Sequence, residues 1–176
     1  MTTALFIHLL AWGTAVFNIG FVVGAGAFLF GNGKFRAFIK KNARLVIFLL
    51  SAASIIATLT LEYVGGLPPC ILCWWQRIFM YPVAIISGIA VIKDTDVSDI
   101  ADYVLAFSLL GGAVALYQHL LQMLPAGSLI PCDAANECAV RSVFELGYIT
   151  LPWMALSVFA ILVLVAFVAR PVRARR

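Results

Sequence analysis

Pro68-Pro69-Cys70-Ile71-Leu72-Cys73-Trp74-Trp75-Gln76-Arg77 delivers a cysteine pair onto the start of an apolar stretch that continues from Trp74 to Ile92. A stretch of that length crosses a hydrocarbon core of about 30 Å as a helix. Four others match it, Leu5 to Phe30, Leu45 to Val64, Tyr103 to Met123 and Tyr148 to Ala169. The chain is 64% hydrophobic and 11% charged, with a mean hydropathy of +1.05. Soluble domains do not carry that balance. The predicted class is therefore all-α, a polytopic membrane protein.

Lys and Arg near helix ends are retained on the cytoplasmic side, so their distribution orients the chain. Lys34, Arg36, Lys40, Lys41 and Arg44 crowd the first loop, Lys93 sits in the third, and Arg170, Arg173, Arg175 and Arg176 form the tail. Only Arg77 and Arg141 fall on the other face. The N-terminus is expected outside and the C-terminus inside. The loop Lys93 to Asp102 holds one base and four acids, and its placement rests on its neighbours. The net charge of +4 comes from bases flanking apolar spans, where they meet anionic lipid headgroups, and no nucleic-acid partner is expected.

Ala25-Gly26-Ala27 looks like a signal-peptide processing site, but no basic residue precedes it and the apolar run exceeds an ordinary h-region, so a retained helix is expected. Gly20 and Gly24 form a GxxxG read as ordinary packing. Pro82 and Pro152 are read as kinks inside spans, and Gly111-Gly112 as a close helix contact.

All four cysteines, Cys70, Cys73, Cys132 and Cys138, lie in the two short gaps expected on the outer side. A CxxC at a helix start is chemically loaded, because the unpaired N–H groups and partial positive charge there favour thiolate, the nucleophile of disulfide exchange. Arg77 follows Cys73 at i+4, on the same helix face. It has two readings, a side chain snorkelling to the interface, or a cation that stabilises a Cys73 thiolate and hydrogen-bonds a ligand carbonyl. His119 lies at similar depth in the next span, about 6 Å below the outer boundary. It is read either as packing or as a second member of the site. His8 has no such neighbours and is read as structural.

Cys132 and Cys138 bracket Asp133-Ala134-Ala135-Asn136-Glu137, a polar stretch expected to be exposed and within reach of a partner protein. One pair would meet protein, the other an oxidant in the membrane. Zinc is the competing use of four cysteines. An oxidising compartment and the lack of His or acid beside the first pair argue against it, and no metal is expected. Four cysteines allow three pairings, of which 70 with 73 and 132 with 138 are favoured by proximity.

Pro69-Cys70-Ile71-Leu72-Cys73-Trp74-Trp75-Gln76-Arg77, Tyr117-Gln118-His119 and Pro131-Cys132 together resemble the DsbB family of disulfide bond formation proteins. The likeness covers roughly Leu45 to Arg170, a four-helix core. It implies a four-helix membrane domain over residues 45–176 and an extra N-terminal helix with its basic loop over 1–44. It further implies a bacterial cytoplasmic-membrane thiol oxidoreductase that reoxidises an extracytoplasmic DsbA-like thioredoxin-fold oxidase and passes electrons to quinone, ubiquinone or menaquinone. On that likeness Cys132 takes the mixed disulfide, Cys138 is its loop mate, Cys70 and Cys73 reoxidise that pair, and Cys73 faces the quinone. Arg77 and His119 would hold the quinone oxygens. The short C-x5-C loop is similar to the compact BdbC type. A vitamin K epoxide reductase-like enzyme is the nearest rival, but such enzymes usually place the loop pair before the CxxC. A non-enzymatic subunit with structural disulfides is the other.

Overall fold

The computed structural model describes residues 5, 7–16, 18–20, 33–124 and 137–170. A short apolar helix, α1, covers Ile7–Gly20. The expected first span is thus helical as far as Gly20, while Gly24 and Ala25-Gly26-Ala27 lie outside the described residues. Four longer helices follow, α2 Gly33–Tyr63, α3 Ile71–Ile92, α4 Val97–Met123 and α5 Leu151–Ala169. Each is long and apolar enough to cross a membrane, α2 through its Ile39–Tyr63 part. The polytopic all-α class read from the sequence is the class observed.

Short turns make α2, α3 and α4 antiparallel neighbours; α2 packs on α3, α3 on α4 and α4 on α5, with α5 returning to α2 to close a four-membered ring. The connection from α2 to α3 sets the position of the cysteine pair. Gly65 follows the last turn of α2 so tightly that a Cβ there would stand 2.5 Å from the Leu61 carbonyl oxygen, and Gly66 takes a φ of +66°, which favours glycine. Leu67 N–H then donates back to Leu61 O at 3.1 Å, and Pro68-Pro69 leads straight into α3.

The opposite end of the bundle gathers the bases. Arg44 pairs with Asp94 and donates to Thr95 O at 3.2 Å, while Arg170 Nε donates to Asp102 Oδ1 at 2.5 Å. Two of the four acids of the 93–102 segment, Asp94 and Asp102, which the orientation rule hardly weighs, are thus partners of bases at this end. Asp96 caps α4 by accepting from Ser98 N–H at 2.8 Å. That hydrogen bond holds its carboxyl below the usual carboxylate range.

The core runs through the ring around Phe159, which is almost wholly buried. Its ring lies on Gly111, where a Cβ would stand 2.3 Å from Phe159 Cζ, so the glycine pair is the close helix contact expected. Gly111→Val is expected to destabilise the bundle by about 1–3 kcal/mol, the usual range for overpacking. Thermal unfolding in detergent checks this, and an unchanged midpoint would disprove it. Pro152 corrects one expectation. It stands in the first turn of α5, behind the Thr150 cap, where no N–H is needed, and so it starts the helix instead of kinking it.

Candidate functional site

Cys70 is the extended N-cap residue of α3, and Cys73 lies in the first turn. This geometry turns both thiols the same way, with their sulfurs 3.4 Å apart. Gln118 of α4 closes over them. Its Nε2 donates to Cys70 Sγ at 3.3 Å and to Cys73 Sγ at 3.4 Å, and its Oε1 accepts from Gln76 Nε2 at 2.6 Å. Two glutamines from adjacent helices therefore clamp the dithiol, and Gln118 is only 2% exposed. The Cys70 thiol is held below its ordinary range, chiefly because Cys73 hydrogen-bonds to it, with burial and Cys138 acting the other way.

Arg77 is 7% exposed and sits one turn deeper than Cys73. A guanidinium buried at that depth needs a counter-charge. Glu62, near the end of α2, supplies it by pairing with Nη1, while Nη2 donates to Thr58 O at 3.4 Å. The guanidinium also lies over the Trp74 ring, 5.2 Å from its centroid. The snorkelling alternative gives way to a buried ion pair. Cys73 Sγ, for its part, meets Cys70 and Gln118.

Cys138 belongs to a short 3-10 turn, Glu137–Ala139. The expected exposure is corrected here, since Cys138 is 3% exposed. Gln122, one turn beyond Gln118 toward the C-terminal end of α4, is the cause. Its Nε2 donates to Cys138 O at 3.3 Å and to Val140 O at 3.1 Å, and Arg141 Nε donates back to Gln122 O at 2.5 Å. Held in this way, the Cys138 side chain comes within hydrogen-bonding reach of Cys70. Sulfur from the second gap thus meets the CxxC. Cys132 lies outside the described residues.

His119 is brought to a different place. A step of one residue along a helix is a rotation of about 100°, so while Gln118 faces the thiols, His119 faces α5. Its Nδ1 is 2.9 Å from Thr150 Oγ1 and its ring lies 4.9 Å from that of Trp153. It ties α4 to the cap of α5 and does not line the cavity beside the thiols.

That cavity has a volume of about 410 Å³. Cys70, Cys73, Gln76, Arg77, Gln118 and Gln122 are among its polar lining, and Leu61, Met80, Met154 and Phe159 among its apolar walls. Gln122 Oε1 is buried without a hydrogen-bond partner among the described residues. Since Nε2 already serves two carbonyls, the amide orientation is fixed and the orphan is an acceptor. The sequence reading quoted Gln76 and Gln118 within its motifs without giving them a role, and passed over Glu62 and Gln122. Their signal was polarity inside apolar spans, which in a membrane is costly and marks a site.

Comparison with known proteins adds a family. The family model described as "Disulfide bond formation protein DsbB" matches residues 40–169. The chain is 37% identical over 122 residues to the "SPbeta prophage-derived disulfide bond formation protein B" of Bacillus subtilis, covering 69% of this chain and 81% of that one. It is 38% identical over 98 residues to the "Disulfide bond formation protein C" of the same organism, covering 54% and 69%. A "Probable disulfide formation protein" of Chlamydia pneumoniae is 30% identical over 126 residues, covering 72% and 90%. No solved structure matches.

Proposed function

Since the chain belongs to the DsbB family of disulfide bond formation proteins, we propose that it reoxidises a DsbA-like thioredoxin-fold oxidase outside the cytoplasm and delivers the electrons to quinone in the bacterial cytoplasmic membrane. In this reading residues 45–176 form the redox domain and both cysteine gaps face outward. The observation that carries it is the meeting of Cys138 with Cys70, beside Cys73 and at the mouth of a largely apolar cavity.

The chemistry divides between the two pairs. A partner dithiol attacks a Cys132–Cys138 disulfide, leaving the partner oxidised and two thiols on this chain. Cys70 and Cys73, as a disulfide, take the same electron pair from those thiols and become the dithiol. A quinone supplies the sink for two electrons and two protons that lets this dithiol close again. Gln118 fixes both sulfurs in register during the exchange, and the lowered thiol pKa of Cys70 favours its thiolate, the form that exchanges.

The cavity suits a quinone ring with an apolar tail. It falls in the range of about 300–1,000 Å³ common for such ligands, with few polar groups among apolar walls. Arg77 and Gln118 are donors for ring oxygens, and the orphaned Gln122 Oε1 accepts from a hydroxyl. His119 holds the end of α5 and supports that wall from behind. To test the reading, the detergent-solubilised chain is reduced, then given ubiquinone-1 or a short-tailed menaquinone without oxygen. All four cysteine thiols should disappear, with one quinone reduced per two thiols lost. Unchanged thiols would leave a bundle whose cysteines only staple loops.

A further inference from the structure

The family match begins at residue 40, so α1 lies outside it. Yet Leu9, Leu10, Gly13 and Thr14 of α1 line the same cavity as Cys70, Cys73 and Arg77. The helix is also pinned at one end. His8 Nδ1 lies 3.0 Å from Glu145 Oε1, on the segment that follows Cys138. Ala11 is almost fully buried, while Trp12, Val16 and Ile19 are exposed, so α1 sets one side against the bundle and turns another toward lipid.

Depth decides what that edge faces. Thr14 stands about 9 Å along the helix from His8, and Arg77 about 10 Å from Cys70, at 1.5 Å per residue. Both start from the segment around Cys138 and Glu145, so positions 9–14 cover the band that holds the thiols and the guanidinium. Gly13 leaves that band open, because a Cβ there would meet no atom within 4 Å.

We propose that α1 is a fifth wall of the redox cavity, and that its edge at Leu9, Leu10, Gly13 and Thr14 selects the lipophilic electron acceptor by fit. The proposal rests on reading the cavity as the quinone site. It assigns to residues outside the family-matched region a part in acceptor choice, with Gly13 setting the room beside the ring.

Two measurements on the full chain test it. A short-tailed azidoquinone is photolysed on the reduced protein and the adducts are mapped by mass spectrometry. Adducts on residues 7–20 as well as on α3 or α4 are expected. Adducts confined to α2–α5 would overturn the wall. Separately, Gly13→Phe should raise the quinone KM by about tenfold while leaving thiol exchange with a reduced thioredoxin-fold partner unchanged, and the lipid-facing Trp12→Ala should move neither. A wild-type KM in Gly13→Phe overturns the proposal. An equal loss of both reactions would mean a merely structural helix and overturns it too. If wild-type thiols never respond to quinone, the quinone reading itself fails, and the wall with it.

Discussion

Cys73→Ser is expected to abolish quinone-dependent turnover completely and to trap a covalent link between Cys70 and Cys138. The first part is stoichiometric. Closing the CxxC needs two sulfurs to move from 3.4 Å to a bond of about 2.05 Å, and a serine oxygen cannot take the second place. The second part follows from geometry. Cys70 is the sulfur within reach of Cys138, and its lowered thiol pKa makes it the attacking thiolate. Attack on Cys138 joins these two residues and releases Cys132 as a thiol. With Cys73 absent the second CxxC thiol cannot displace Cys138 and close the 70–73 pair; only the reverse attack by Cys132 undoes the link, so it accumulates. Non-reducing peptide mapping of the variant, after exposure to an oxidised partner, should find the 70–138 pair as the main species. A dominant 70–132 pair would mean that the sulfur placement at the bundle mouth is not the one used in exchange. Continued quinone reduction by Cys73→Ser would remove the CxxC from the electron path.

The fold was largely legible because membrane spans announce themselves by length and hydropathy alone. Each long helix carries one of the apolar runs, although α2 starts at Gly33, well before Leu45, and α4 at Val97, before Tyr103. The CxxC sits at a helix start, as the Gly65-Gly66 and Pro68-Pro69 turn demands. What could not be read was which way each helix faces. A soluble helix shows an apolar stripe toward its core, but here lipid and core are both apolar, and α4 and α5 are hydrophobic nearly all round. The rotation of α4 is instead marked by Gln118 and Gln122 at i and i+4, and only that rotation separates Gln118 at the thiols from His119 at Thr150. The burial of Cys138 was hidden for a related reason. A polar loop sequence reads as exposed, and only the buried amide of Gln122 draws its backbone inward.

Glu62→Gln tests the remaining pillar, the charge balance beneath the thiols. The Arg77 side chain is 8% exposed and that of Glu62 is 19%, so removing the carboxylate leaves a cation with little water to meet it. Breaking one side of such a pair costs about 3–5 kcal/mol, whereas replacing both sides with apolar groups is often neutral. Glu62→Gln should therefore unfold at a markedly lower temperature in detergent, and Glu62→Gln combined with Arg77→Met should recover much of that loss. Quinone affinity separates the two variants further. In the proposed site Arg77 donates to a ring oxygen, so the double variant regains stability but binds quinone weakly, as Arg77→Ala should on its own. An Arg77→Ala protein with wild-type quinone kinetics would show that the guanidinium serves only to hold α2 and α3 together through Glu62 and Thr58. The two roles make opposite demands. A structural pair gains from complete neutralisation, while a ligand-binding cation must keep a donor turned toward the cavity. Arg77 meets both, with Glu62 on one nitrogen, a single longer contact to Thr58 on the other, and the cavity beside it.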